Sequence, residues 1–357
     1  MFSITALILA APLATASTEV SPEAYDLIMS VQEDSQQYVS VKEESPVTLK
    51  IGGFLQTRFT YSRGGGLETN HGFSVPRARL ILSGNLYDWE YKVSGQWSDD
   101  NKTVMKMQSG SFILKDAYAQ GSLLGGTVRV GQFKSPFMRE VLVAQQDTLM
   151  TDRSIIANTF GQGRSQGVQW SKDLGKLDIA AAYTDGFNTA NDTGIQNGQA
   201  ATARFVYDVW EFGDDRCNVG AAISYNDLAV KAVNSDYLTY TLDTKVSVGA
   251  LDLTAAYVAT SGDAGDNWGS TVQAGYMCMD NLQGFVAYEF GEQEGISENL
   301  STITVGANYF VNDNIKWTTD LGYALNGIDA TWNFGETGWR SGDSGEYVVR
   351  TQLQISF

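Results

Sequence analysis

The stretch from Gly345 to Phe357 constrains the fold more than any other, because apolar and polar residues alternate along it almost strictly and it closes on an aromatic. Phe357, Ile355, Leu353, Thr351, Val349 and Tyr347 share one face; Ser356, Gln354, Gln352, Arg350 and Glu346 share the other, with Val348 the single apolar exception. A period of two with one apolar and one polar face is a β-strand. A soluble sandwich strand has the same period but no reason to end on an aromatic. A transmembrane barrel strand faces lipid outside and water inside and carries aromatics at the interface.

Composition points the same way. The 357 residues include 37 Gly, 8 Trp, 17 Tyr and 16 Phe but only 5 Pro, which suits one large all-β domain. No apolar run approaches the roughly 20 residues of a membrane helix, so any span must be made by strands. The longest such run, Phe2 to Leu13, leads into Ala14-Thr15-Ala16, a small-x-small pattern, and residues 1–16 are therefore expected to be a cleaved signal peptide. No Lys or Arg precedes that run, a departure from the usual leader for which a truncated or a misplaced start is the expected reason. Residues 17–46, with seven acids and one Lys, are expected to form a short acidic periplasmic segment, and Ser21-Pro22-Glu23 is a fitting helix start within it. Residues 47–357 are then the barrel domain. Cys217 and Cys278 fall on one rim but several hairpins apart, too far for the roughly 4.4–6.8 Å of a disulfide, and are expected to be unpaired.

Alternation and turn signals give sixteen candidate strands, near 47–62, 73–87, 88–98, 111–121, 126–134, 163–172, 175–184, 199–209, 218–226, 237–248, 250–259, 268–278, 282–290, 300–310, 315–325 and 345–357. The predicted fold is all-β: a 16-stranded antiparallel transmembrane β-barrel. Its connections alternate. Short ones fall at Tyr87-Asp88, Leu123–Gly126, Asp173–Gly175, Gly249-Ala250, Asp280-Asn281 and Asn312–Asn314, with a slightly longer one at Glu211–Cys217. Longer ones fall at Gly64–Gly72, Asp99–Gly110, Asp185–Gly198, Ser261–Asn267 and Asn326–Ser344. Short periplasmic turns and long extracellular loops are the outer-membrane layout. The 28 residues from Ser135 to Gln162, the third long loop, hold no convincing strand and are expected to fold into the lumen, the alternative being a surface lid.

Strand parity assigns charges to faces, since Lys or Arg at the lipid midplane costs about 2–4 kcal/mol. Lys50, Gln56 and Arg58 then face the lumen opposite Leu55 and Phe59; Arg77 and Arg79 face it opposite Ala78 and Leu80, and Lys92 and Arg129 do likewise. Arg204, Lys245, Lys316 and Arg350 also point inward, with Asp208, Asp243, Asp320 and Glu346 nearby in sequence. Lys115 and Asp116 are adjacent and can share a face only through a bulge. Charge is uneven along the chain: residues 47–170 carry 14 bases against 9 acids, a net of +5, whereas residues 171–357 carry 9 against 25, a net of −16. Guanidiniums on neighbouring strands of a narrow channel attract anions and coordinate phosphate or carboxylate. The same arginines paired across the lumen with acids would instead make a weakly selective pore.

The basic sector resembles the phosphate-selective porins of the O and P type. The matching stretches are Val75-Pro76-Arg77-Ala78-Arg79-Leu80, Asp116-Ala117-Tyr118, Gly131-Gln132-Phe133-Lys134 with Pro136-Phe137, Asp152-Arg153-Ser154, Gly163-Arg164-Ser165-Gln166-Gly167-Val168 and Asp185-Gly186-Phe187-Asn188. The resemblance spans about Ile51 to Phe357. It implies a sixteen-stranded, usually homotrimeric outer-membrane channel for small anions, phosphate or pyrophosphate among them, with a lysine-bearing third loop. On that resemblance the anion-binding residues are Arg58, Arg77, Arg79, Arg129 and Lys134, and Arg139, Arg153 and Arg164 are the constriction-loop candidates. The acidic second half departs from an arginine ladder running the length of a pore wall. Phe357 matches the aromatic-ended signal read by barrel assembly machinery, and lipids and lipopolysaccharide are the expected surroundings.

Other classes fit less well. A lone His71 leaves little for a Ser-His-Asp hydrolase, no Cys and His cluster suggests a metal, and no Gly-Lys-Ser loop suggests a nucleotide. No catalytic residue, cofactor, metal or nucleic-acid partner is therefore expected. A plugged structural barrel remains a third reading.

Overall fold

The computed structural model describes residues 39–40, 47–64, 67–98, 111–186, 189–190, 198–230, 233–263, 265–335 and 337–357. The expected leader and acidic segment lie outside these, apart from Val39–Ser40, which pairs antiparallel with Ile51 and Lys50. Most of the Asp99–Gly110 and Asp185–Gly198 connections also lie outside them.

Sixteen strands form the wall: β1 Lys50–Gly64, β2 Leu67–Leu86, β3 Trp89–Ser98, β4 Ser111–Leu123, β5 Gly126–Lys134, β6 Arg164–Asp173, β7 Leu177–Thr184 and β8 Gln199–Phe212. These continue as β9 Asp215–Val230, β10 Val233–Val248, β11 Leu251–Gly262, β12 Asn267–Met279, β13 Leu282–Glu292, β14 Leu300–Asn312, β15 Ile315–Ala324 and β16 Tyr347–Ser356. Each pairs antiparallel with its sequence neighbours, and β16 closes on β1 from Tyr347↔Arg63 to Ser356↔Phe54. The terminal residue finishes the seam: Phe357 N–H donates to the Gly53 carbonyl at 3.0 Å, and Gly53 N–H donates to the Phe357 carbonyl at 2.9 Å. A Cβ at Gly53 would meet the Phe357 ring at 2.8 Å, so the glycine is what lets that ring lie flat on the wall.

The outward positions are apolar and exposed, Leu55, Val93, Val130, Val168, Val272 and Leu321 among them, while the inward positions between them are polar. Soluble proteins rarely leave apolar patches beyond a few hundred Å² uncovered, so a belt around the whole circumference needs lipid. Aromatic pairs such as Trp97–Phe112, with ring centroids 4.7 Å apart, and Tyr61–Tyr347, at 6.1 Å, stand on that outer face. Among the described residues no helix is long and apolar enough to cross a membrane.

One bulge raised by the sequence is present, and a second was not foreseen. Val93 pairs with Ala117 and Gly95 with Leu114, so Lys115 and Asp116 together oppose Ser94 in the bulge their adjacency demands. Likewise Gln56 pairs with Arg77 and Arg58 with Ser74, leaving Val75 and Pro76 opposite Thr57, where a residue without an N–H fits a broken ladder. Three connections differ from the expectation. The Gly64–Gly72 and Ser261–Asn267 loops are short, because β1 runs on to Gly64, β2 starts at Leu67 and β11 reaches Gly262; Gly64 and Gly262 take φ of +135° and +117° there. The Glu211–Cys217 turn shrinks to Gly213-Asp214. The two cysteines are free.

Candidate functional site

After β5 the chain leaves the wall and folds inside the barrel. It makes two short helices, α1 Arg139–Leu142 and α2 Ile155–Phe160, with a single 3-10 turn at Gln145–Asp147 between them. Its apolar side explains why it stays there. Phe137, Met138, Ile155, Ile156 and Phe160 are buried against Val258, Leu300, Ala324 and Val348, which occupy inward wall positions, and against Ile328, Trp332 and Trp339 of the connection between β15 and β16. Val348, the apolar exception in the polar row of the last strand, is fully buried in this cluster.

Its polar side is fixed by charged groups of the wall. Thr151 donates through N–H and Oγ1 to Asp320 Oδ2 at 3.1 and 2.9 Å. Lys316 Nζ donates to the Gln146 and Thr148 carbonyls at 2.6 and 3.2 Å. At the start of α2, Ser154 Oγ accepts from Ala157 N at 2.9 Å and donates to Glu140 Oε2 at 2.7 Å, and Glu289 Oε2 accepts from Ile156 N at 3.1 Å. Burial raises the Glu140 carboxyl above its ordinary range, and the Ser154 bonds oppose that rise.

The residues singled out from the sequence separate into three groups. Arg77, Arg79, Lys134, Arg153 and Arg164 come together at mid-height, within electrostatic reach of one another, between the β2–β6 wall and the loop. Arg58 adjoins them, donating to Gln352 Oε1 at 2.9 Å and the Thr151 carbonyl at 2.6 Å. Arg129 lies nearer the short-turn rim, over the Tyr118 ring at 4.4 Å and donating to Gln120 Oε1 at 2.8 Å. Arg139 crosses to the far wall, where its Nε donates to Asp243 Oδ1 at 2.7 Å beside the Arg204–Asp243 pair at 2.7 Å.

Three carboxylates to which sequence reasoning gave no anchoring role organise the first group. Asp152 pairs with Arg77 at 3.0 Å and Arg58 at 3.5 Å. Burial opposes ionisation of Asp152, but Arg77, Arg58 and the Arg153 N–H outweigh it and hold the carboxyl below the usual range. Asp116, turned inward by its bulge, accepts two bonds from Arg164, at 2.7 and 3.0 Å, and one from Ser94 Oγ at 2.6 Å. Glu140 is the third; Arg153 donates to its carbonyl at 3.0 Å and to the Val143 carbonyl at 2.7 Å, with burial lowering the guanidinium pKa to about 10. Lys134 Nζ donates to the Leu142 and Val143 carbonyls, both at 3.1 Å, holding the end of α1. Six cations thus meet three carboxylates, a surplus of +3. Arg79 is the least engaged: one bond to Gln96 Oε1 at 2.5 Å, a stack on Phe54 at 5.1 Å, and an Nε with no partner.

Below the loop opens a cavity of about 1510 Å³ that reaches the short turns at Gly175 and Asn314. Charged side chains line it unevenly, twelve acids against five bases.

The family described as Gram-negative porin matches residues 3–329. No curated protein matches the sequence. Among solved structures, the anion-selective porin from Comamonas acidovorans superposes with a TM-score of 0.68 at 14% identity, covering 87% of this chain and 100% of that one. Salmonella typhi OmpF, solved in complex with daunomycin, gives 0.69 at 14% identity over 89% and 100%. The outer membrane channel DcaP of Acinetobacter baumannii gives 0.64 at 15% identity over 88% and 99%.

Proposed function

From the premise that this chain belongs to the Gram-negative porins, we propose that its water-filled outer-membrane channel favours small anions. The observation that carries this is the surplus of cations at the loop, six against three carboxylates, where the inward-folded loop occupies the lumen. A fixed charge acts most strongly where the path is narrow and partly desolvated. The resemblance to phosphate-selective porins and the likeness to an anion-selective porin fold support the reading. Phosphate and pyrophosphate suit the donors left at Arg79, because a planar guanidinium fork bonds such oxygens in pairs. The functional unit is proposed to be a homotrimer, exported by a cleaved leader.

General, weakly selective diffusion is the competing reading, and the Asp116–Arg164 and Asp152–Arg77 pairs favour it by neutralising two of the six cations. Reversal potentials under a KCl gradient separate the two. Anion preference is expected for the parent and should weaken in Arg79→Ala, which leaves the loop anchors in place. Phosphate should block chloride current in the parent and not in that variant. A cation-selective parent would mean that the acidic cavity dominates, and the proposal would be wrong.

A further inference from the structure

The basic band and the acidic cavity stand in series along the channel, with Asp152 and Glu140 common to both. The cavity runs from the underside of the loop, at Leu142, Val143 and Met150, to the short-turn rim. Asp152 and Glu140 touch both zones; with both assigned to the band, the band keeps +3 and the cavity, with ten acids against five bases, keeps −5. Exposed acids at the rim, Asp88, Glu90, Asp173, Glu211 and Asp313, make up much of the negative zone. None of the band's six cations lines the cavity.

We propose that this pore rectifies ionic current, conducting better when the short-turn side is positive. The reason is general to a positive and a negative zone in series. With that polarity, cations enter through the negative cavity and anions through the positive band, so both accumulate at the junction and conductance rises. With the opposite polarity each zone meets the ion it repels, and the junction is depleted. The effect depends on the zones keeping their potentials apart over the width of the lumen. A Debye length of roughly 10 Å at 0.1 M permits this and one of roughly 3 Å at 1 M does not. Over a difference of this size the expected ratio of currents is on the order of twofold at 0.1 M, fading towards unity at 1 M.

The proposal rests on the channel reading, and a single-channel recording of the full chain tells the two failures apart. Current–voltage curves are taken in symmetric 0.1 M and 1 M KCl. The direction of insertion is fixed by the side from which a bulky, membrane-impermeant thiol reagent changes the current of a Ser122→Cys variant made with Cys217→Ser and Cys278→Ser. Larger current at positive short-turn side in 0.1 M, flattening in 1 M, is the expected result. Asp88→Asn, Glu90→Gln, Asp173→Asn, Glu211→Gln and Asp313→Asn combined should bring the 0.1 M curve close to linear with conductance retained; all five residues are exposed, so the fold is preserved. A linear parent curve at 0.1 M, the opposite polarity, or rectification that survives the five changes would overturn the inference while leaving the channel standing. Absence of any conductance would overturn both.

Discussion

Replacing Asp152 with alanine is the sharpest test of how the loop is held. Asp152 is buried and accepts from Arg77 Nη2 at 3.0 and 3.1 Å, Arg58 Nη1 at 3.5 Å, Gln145 Nε2 at 3.2 Å and Arg153 N at 2.8 Å. Removing one partner of a buried pair costs about 3–5 kcal/mol, because the charge left behind is stranded. Two guanidiniums are stranded here, but Arg58 keeps Gln352 and the Thr151 carbonyl and Arg77 keeps Gln56, which places the loss near the lower end of that range. The loss falls on the docked loop rather than on the wall, whose ladder the substitution does not touch. Electrostatically the band goes from +3 to +4. A unit charge acting on an ion roughly 8 Å away through water is worth about 0.5 kcal/mol, or about twofold in local anion concentration. Because the same potential lowers the local cation concentration about twofold, single-channel recording should show noisier current and an anion-to-cation permeability ratio about four times the parent's, with the barrel's heat-dependent gel mobility unchanged. Noise and reversal potential both equal to the parent's would refute the assignment of Asp152 as loop anchor and band charge.

Two further substitutions probe other parts of the same assembly. Val348→Ser puts a hydroxyl into the apolar cluster beside Trp339 and removes about 2 kcal/mol of burial; protease should then cleave between Asn326 and Ser344 faster than in the parent. Glu346, just before β16, is raised from 4.5 to about 7, chiefly by burial, with bonds to Arg340 opposing. A carboxyl that binds its proton more tightly when folded adds stability that is complete below about pH 4.5 and lost as pH rises through about 7. Thermal stability should fall across that window, and Glu346→Gln should flatten the fall; an unchanged slope in the variant would remove Glu346 as its source.

The wall was legible because its rule is local. A residue two positions along faces the same side, and a charge facing lipid is costly, so parity alone put Arg58, Arg77 and Arg79 in the lumen and let Lys115 and Asp116 share a face only through a bulge. The loop obeys no such period. Its partners lie up to 208 residues away, as in the bond from Gln354 Nε2 to the Gln146 carbonyl, and nothing in the run from Ser135 to Gln162 marks Asp152 as the residue that two strands would bind. The one available signal was negative: Val348 breaks the polar row of the last strand, and Val258, Leu300 and Ala324 do the same elsewhere on the inner wall. Apolar residues facing a lumen require something apolar within it.

In the proposed channel the charges that would attract an anion and the charges that hold the loop are largely the same ones, and this limits what evolution or an experimenter can alter. Six cations crowded at mid-height would repel one another without Asp116, Asp152 and Glu140, yet every carboxylate added for cohesion subtracts from the attraction. The surplus of +3 is what remains after cohesion is met. Arg58, Arg77, Lys134, Arg153 and Arg164 each hold a loop carbonyl or a carboxylate, so changing any of them alters shape and potential together. Arg79 alone in this group bonds only a wall glutamine and an aromatic face. It is the position at which selectivity can change while the constriction keeps its form, and therefore the one whose substitution reports on the solute rather than on the fold.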